Sequence, residues 1–187
     1  MISERMNEAL NVQANRELYS SYLYLSMSYY FESVKMPGFA SWMRVQAGEE
    51  LVHGMKMLDY AASASGRAKM LAIEAPRLSW ASPLEAFQQV WDHERAVSGL
   101  IRALVVVSEA EKDEATRNFL QWYLDEQVEE EESSDSVLNL AKAAGNDHAA
   151  LQAADAKLGQ RRFRFPRGFE IFPFAAMQGM TIGSLKK

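Results

Sequence analysis

The spacing of proline constrains this chain more than any other feature. After Pro37 the next prolines are Pro76 and Pro83, and none follows until the C-terminal tail. Together with glycine they bound four long stretches of helical character and one short stretch. The predicted helices span about residues 3–33, 39–64, 83–111, 113–145 and 147–158. At 1.5 Å per residue, the four long helices of about 26 to 31 residues are each roughly 40 to 45 Å in length.

Matched helix lengths predict an all-α four-helix bundle followed by a short fifth helix. The connection between helices two and three covers residues 67–82, and its roughly 16 residues can travel the length of the bundle when extended. A loop of this length is uncommon without a structural purpose. We therefore expect a long crossover that lets helices two and three run parallel.

Composition excludes several classes of function. The 187 residues suit one domain with a tail, and a hydrophobic content of 48% allows a sizeable core. The chain has no cysteine, which excludes disulfides and thiolate metal sites and is compatible with a cytoplasmic location. We expect no signal peptide and no membrane span. The net charge of −5 favours cations rather than nucleic acid as partners.

The last part of the sequence has a different composition. Residues 161–187 hold five phenylalanines, two prolines and three glycines, with an arginine cluster at their start and no helical period. We therefore divide the chain into a bundle with its fifth helix over residues 1–160 and an aromatic and basic extension over residues 161–187. The extension is expected to lie on a surface, cap a partner subunit or fill an interior cavity.

On every long helix, some polar side chains share the helix face that carries apolar residues. Glu17, for example, is one heptad from both Leu10 and Tyr24, and so shares their face. The side chains that follow this pattern are Glu17 in helix one, Glu50 and His53 in helix two, Glu94 in helix three, and Gln127 and Glu130 in helix four. All lie near the middle of their helices, so they can meet in one layer of the bundle.

Buried carboxylates are costly unless they are protonated, paired or bound to metal. Four that converge would repel one another, and one or two divalent cations would remove that repulsion. Glu50-x-x-His53 supplies an oxygen and a nitrogen from one helix face, and this donor set favours iron or manganese and tolerates zinc. A single Glu-x-x-His pair also arises by chance, but four helices in matching register favour a di-metal site.

The acidic run over residues 125–132 covers every face of its helix. Its last two glutamates, Glu131 and Glu132, are expected to be exposed to solvent. Glu126 and Glu129 each directly precede a central position, Gln127 or Glu130, and so lie beside it on the helix surface. They could join Glu49 in a further cation site. His93 is expected on the surface, because it precedes Glu94 by one residue and so points elsewhere.

With these residues assembled, the sequence resembles prokaryotic non-haem ferritins over about residues 1–162. The resemblance rests on four blocks, which are NEALNVQANRELYSSYLYLSMSYYF, GEELVHGMKMLDY, RLSWASPLEAFQQVWDHE and FLQWYLDEQVEEE. It implies the ferritin-like bundle and a cytoplasmic ferroxidase that oxidises Fe(II) with O₂ or H₂O₂. It also implies storage of the ferric mineral in a hollow homo-oligomer of 24 subunits.

The resemblance assigns a role to each candidate residue. It implies that Glu17, Glu50 and His53 hold the first iron, with Glu50 bridging to a second iron that Glu94 and Glu130 serve. The remaining assignments are Gln127 close to bound oxygen, Tyr24 beside the ligands, and Glu49, Glu126 and Glu129 at a third iron site. No haem is expected, because Leu51 stands where bacterioferritin has its haem-ligating methionine.

Other classes of protein share parts of this pattern. A rubrerythrin-like peroxidase or a manganese catalase would use a similar bundle, but a rubrerythrin normally carries a four-cysteine module that this chain lacks. A small protective cage that shields DNA would need basic tails, and only the arginines near residue 161 offer a basic patch. A purely structural shell would not need the full set of ligands.

Overall fold

The computed structural model describes residues 1–163. Within them the chain forms five helices and no strand: α1 (Glu4–Ser33), α2 (Pro37–Ser63), α3 (Pro83–Ala110), α4 (Glu114–Ala144) and α5 (His148–Leu158). The predicted all-α four-helix bundle with a short fifth helix is confirmed. Most of the predicted C-terminal extension, residues 164–187, lies outside the described residues. No described helix has an apolar stretch long enough to span a membrane.

Most helix starts carry a side-chain cap that the sequence makes recognisable. Ser3 accepts a hydrogen bond from the Met6 N–H at 2.9 Å, and Ser82 accepts one from the Glu85 N–H at 3.1 Å. Asp113 and Asp147 cap α4 and α5 in the same way. These oxygens satisfy backbone N–H groups that have no partner within the helix.

The start of α2 differs from the prediction. The sequence predicts a start at residue 39, but the helix begins at Pro37, because proline suits a first helical position where its missing N–H is not needed. Met36 provides no side-chain cap there. Instead the Asp155 carboxylate of α5 accepts hydrogen bonds from the Gly38 N–H at 3.0 Å and the Phe39 N–H at 2.7 Å.

The crossover after α2 runs back along α1. Near its start Asn11 donates to the Arg67 carbonyl at 2.9 Å, and near its end Tyr30 donates to the Trp80 carbonyl at 2.7 Å. Since the end of α2 lies at the start of α1, where the Ile2 N–H donates to the Ala64 carbonyl at 3.1 Å, α2 is antiparallel to α1. The crossover then returns the chain to the other end of α1 before α3 begins, so α2 and α3 run parallel, as predicted.

The core consists of two apolar clusters with a polar layer between them. One surrounds Phe31, Phe39 and Phe87, and the other contains Leu10 and Ile101. Along each long helix, the residues of the two clusters are separated by the predicted polar positions. Helix α1 packs on α2, α3 packs on α4, and α1 also contacts α3. The bundle therefore brings polar side chains from four helices into its middle.

Candidate metal centre

The polar layer contains one compact group of potential metal ligands. Glu17 of α1 and Glu50 and His53 of α2 each offer one ligand atom, and these atoms lie within 4.8 Å of one another. All three side chains are at most 2% exposed. Glu50 and His53 are neighbours because residues three apart share a helix face, and Glu50 Oε2 lies 3.4 Å from His53 Nδ1. Among residues 1–163, no other three His, Asp or Glu side chains meet this distance.

Glu94 of α3 and Glu130 of α4 add two more buried carboxyl groups, which are 1% and 6% exposed. Burial raises the pKa of Glu94 to about 8, and the Glu130 carboxylate adds to this effect. Burial likewise raises the pKa of Glu17, Glu50 and Glu130. The four acidic groups therefore resist ionisation while no cation is present.

Four buried atoms of this layer lack a hydrogen-bond partner, namely Glu17 Oε2, Glu50 Oε1, His53 Nε2 and Glu94 Oε2. Buried polar atoms normally have partners, and each unsatisfied one costs about 1–3 kcal/mol. Burial lowers the pKa of His53 to about 4, so its imidazole is neutral near pH 7 and keeps a lone pair. A cation among these atoms would satisfy oxygen and nitrogen ligands together, so the site fits a divalent metal ion.

Two side chains donate hydrogen bonds to Glu94, one to its carboxyl group and one to its main-chain carbonyl. The Tyr24 hydroxyl donates to Oε1 of Glu94. Gln127 donates its amide to the Glu94 carbonyl at 3.2 Å and to Ser98 Oγ at 3.1 Å. Tyr24 thus orients the Glu94 carboxyl group, and Gln127 links α4 to α3 at the same level.

Three further contacts around the layer come from residues that the sequence pattern does not single out. Gln13 Nε2 donates to Glu17 Oε1 at 2.8 Å, Gln46 Nε2 donates to Glu130 Oε2 at 2.9 Å, and the Tyr123 hydroxyl donates to the His53 carbonyl at 2.7 Å. The positions of the two glutamines could have been predicted from helical spacing. Each lies four residues before a predicted ligand, Glu17 or Glu50, and so shares its helix face.

The prediction that His93 lies on the surface is wrong. Its Nε2 is 2.7 Å from Ser20 Oγ, and its ring meets the Tyr24 ring edge to face at 5.8 Å. Burial lowers its pKa to about 4. His93 is half-buried because α1 packs against the face of α3 that carries both Glu94 and His93.

The residues of the predicted third site do not form a comparable group. Glu49 and Glu126 are half-buried, whereas Glu129 is exposed. Burial raises the pKa of Glu49 and of Glu126 to about 7 in each case. Glu49 forms an ion pair with Arg161, whose Nη2 lies 2.6 Å from its Oε2. The residue beside the central ligands therefore already has a cationic partner.

Comparison with known proteins gives consistent results. The family model for the ferritin-like domain matches residues 7–144. The bacterial non-heme ferritin of Bacteroides fragilis (strain 638R) is 45% identical over 161 residues, which is 86% of this chain and 100% of that protein. The corresponding protein of Staphylococcus aureus (strain USA300) is 36% identical over 163 residues, which is 87% of this chain and 98% of that protein.

Solved structures show the same relationship. A closed form of the Archaeoglobus fulgidus ferritin, made by site-directed mutagenesis, has a TM-score of 0.86 and 51% identity and covers 88% of this chain and 100% of its own. The open-pore ferritin of that archaeon has a TM-score of 0.85 and 50% identity over 87% of this chain and 100% of its own. With most of its length matched by the family and by these relatives, the chain belongs to the ferritin family.

Proposed function

We propose that this protein oxidises ferrous iron at the polar layer and stores the ferric product inside a hollow homo-oligomer. Membership of the ferritin family, with relatives named bacterial non-heme ferritins, supports iron storage. The observation that carries the catalytic part is the set of buried acceptor atoms without partners on Glu17, Glu50, His53 and Glu94. Iron is here the substrate and cargo, which enters as Fe(II) and leaves as Fe(III).

The ligands divide between two iron positions. Glu17, Glu50 and His53 would hold the first iron, since their ligand atoms already lie close together. Glu50 would bridge to the second iron, which Glu94 and Glu130 would serve from the other helix pair. Tyr24 and Gln127 would position Glu94 through the hydrogen bonds described above. Each of these roles is a proposal that substitution can test.

The donor set suits oxidation. Carboxylates are hard anionic ligands, and they stabilise Fe(III) more than Fe(II). Each of two ferrous ions gives up one electron, and O₂ takes both together with two protons to form H₂O₂. The carboxyl groups, whose pKa values are raised by burial, would lose their protons when iron binds, as metal ligands must.

Assembly is the second half of the proposal. A bundle that oxidises iron stores it only if many copies enclose a cavity, and we propose the 24-subunit shell that the family resemblance implies. Residues 161–187 would form an extension beyond this shared architecture, since the relatives above cover 86–88% of the chain. We propose a cytoplasmic location and no haem.

Stopped-flow absorbance after mixing metal-free protein with ferrous iron in air tests the catalytic claim. We expect fast formation of ferric species in the wild type and its loss in Glu50→Gln, which keeps the side-chain size but removes the anionic bridge. Asp59→Asn is a matched control, because Asp59 is exposed on the same helix. Oxidation no faster than in buffer, or equally fast in Glu50→Gln, would contradict the proposal. Light scattering on the same samples tests the 24-subunit shell.

A further inference from the structure

A side chain just beyond α5 reaches back to the edge of the metal centre. Arg161 donates through Nη2 to Glu49 Oε2 at 2.6 Å and through Nη1 to Gln46 Oε1. Its guanidinium also lies over the Trp42 ring, 4.8 Å from the centroid. The Arg161 and Glu49 side chains are only 24% and 16% exposed. One planar group thus contacts three residues of α2 at once, which is the geometry that arginine provides and lysine does not.

The contact continues to a proposed iron ligand. Gln46 is fully buried, and it accepts from Arg161 through Oε1 and donates through Nε2 to Glu130 Oε2 at 2.9 Å. Because an amide has one oxygen and one NH₂ group, the guanidinium fixes which end faces Glu130. Arg161 therefore orients a carboxylate of the centre without touching it.

The central layer and the region around Glu49 differ in whether their carboxyl oxygens have hydrogen-bond donors. In the central layer, Glu17, Glu50 and Glu94 each have a buried oxygen without a donor. No atom of Glu49 or Glu130 belongs to that set of buried, unpartnered atoms within residues 1–163. The central oxygens are thus open to a cation, whereas Glu49 is already paired with the Arg161 guanidinium.

A second side chain of this segment packs on the same helix. The Phe163 ring lies against Gly48, where an added Cβ would stand 3.2 Å from two ring carbons. Glycine at this position lets residues 161–163 approach α2 closely, next to Gln46 and Glu49. Two separate contacts therefore hold this short segment against the edge of the centre.

We propose that the Arg161 guanidinium is a resident cation that takes the place of a third metal ion beside Glu49. A metal ion at Glu49, Glu126 and Glu129 would have to displace the guanidinium from Glu49, Gln46 and Trp42 together. Arg161 thus limits stable metal binding to the central pair of positions and, as a positioning residue, holds Gln46 against Glu130. This inference rests on the proposed function, because it sets how many ions the same centre retains.

Calorimetric titration of metal-free, full-length protein with zinc tests the inference, since zinc accepts these ligands but is not oxidised. We expect about two zinc ions per subunit in the wild type, in keeping with a paired site. Arg161→Gln should bind about one more, and the double variant Arg161→Gln/Glu49→Gln should lose it again. Arg162→Gln is the matched control, because Arg162 is exposed and donates only to the Gly159 and Arg161 carbonyls among its described hydrogen bonds.

Glu49→Gln alone provides a test that does not depend on folding of the arginine variant. If Arg161 occupies this place, Glu49→Gln leaves the zinc count of the wild type unchanged. A wild type that already binds a third ion through Glu49, or an Arg161→Gln protein that gains none, would overturn the inference. Failure of the proposed function would look different, because the central zinc ions would then be absent from the wild type or retained in Glu50→Gln.

Discussion

Tyr24 on α1 donates its hydroxyl hydrogen to Oε1 of Glu94 on α3, and both side chains are at most 1% exposed. This bond crosses between the two helix pairs, since α1 packs along α2 and α3 along α4. It leaves Oε2 of Glu94 as the oxygen without a partner. The tyrosine therefore turns the carboxyl group so that one oxygen is free to bind metal.

Replacing Tyr24 with phenylalanine should impair the centre without unfolding the bundle. Glu94 Oε1 would lose its donor in a buried site, which costs about 1–3 kcal/mol in the metal-free protein. We expect a lower thermal midpoint without metal and slower iron oxidation, measured by calorimetry and stopped-flow absorbance. Tyr22→Phe is the control, because Tyr22 is 49% exposed on the same helix. Equal oxidation rates in the two variants would show that the Tyr24 hydroxyl has no part in positioning Glu94.

Helical spacing was sufficient to predict much of this molecule. The heptad relation of Glu17 to Leu10 and Tyr24 placed the glutamate inside the bundle, and all three are buried. Local signals of this kind depend only on residues within a turn or two. The long crossover was predictable in the same local way, because Gly66 and Pro83 mark its two ends in the sequence.

Contacts between distant segments could not be predicted in this way. The Arg161–Glu49 pair joins residues 112 positions apart, and nothing in the local pattern relates them. His93 was assigned to the surface because periodicity describes one helix at a time, whereas its burial depends on how α1 packs against α3. The role of each individual ligand also stays a prediction, because it depends on contacts between four helices that are far apart in the sequence.

The metal-free protein should become less stable as pH rises from 6.5 to 8. Glu94 has a pKa of about 8 in the folded protein, compared with an ordinary pKa of 4.5. Above pH 4.5 the folded state therefore binds more protons at this group than the unfolded state does. The free energy of unfolding falls as the pH rises through this range. His53 acts in the opposite direction, but only between its lowered pKa of about 4 and its ordinary 6.5. Above pH 6.5 the carboxyl effect is therefore left unopposed by His53.

Thermal unfolding of metal-free protein at pH 6.5 and 8 measures this effect. For Glu94 alone the expected loss is about 1–2 kcal/mol, from 1.36 kcal/mol per pH unit. Glu94→Gln should show a smaller fall, and bound zinc should reverse the trend, because metal binding requires deprotonated ligands. A midpoint that rises over this range in the metal-free protein would show that the carboxyl groups are ionised without a cation.

Replacing Glu130 with glutamine should weaken zinc binding, whereas the same substitution at its neighbour Glu129 should not. Glu130 is 6% exposed and accepts from Gln46, whereas Glu129 is exposed. We expect Glu130→Gln to reduce the affinity for the second zinc ion at least tenfold, about 1.4 kcal/mol, because a buried anionic ligand becomes neutral. Glu129→Gln should leave both central zinc ions unchanged. Calorimetric titration of the two variants compares them directly, and equal affinities would remove Glu130 from the proposed ligand set.

Asp155 tests how the fifth helix is attached to the bundle. Its carboxylate accepts from the Gly38 and Phe39 N–H groups and so caps α2, whose own preceding residue provides no cap. Removing a capping oxygen typically costs about 1–2 kcal/mol, and a carboxylate at a helix N-terminus also interacts favourably with the helix dipole. Asp155→Ala should therefore lower the thermal midpoint clearly, while Asp92→Ala, which removes an exposed carboxylate bonded only to Gln88 among its described contacts, should change it little. If both variants unfold at the same temperature, α5 is held by its apolar contacts with the core and not by this cap.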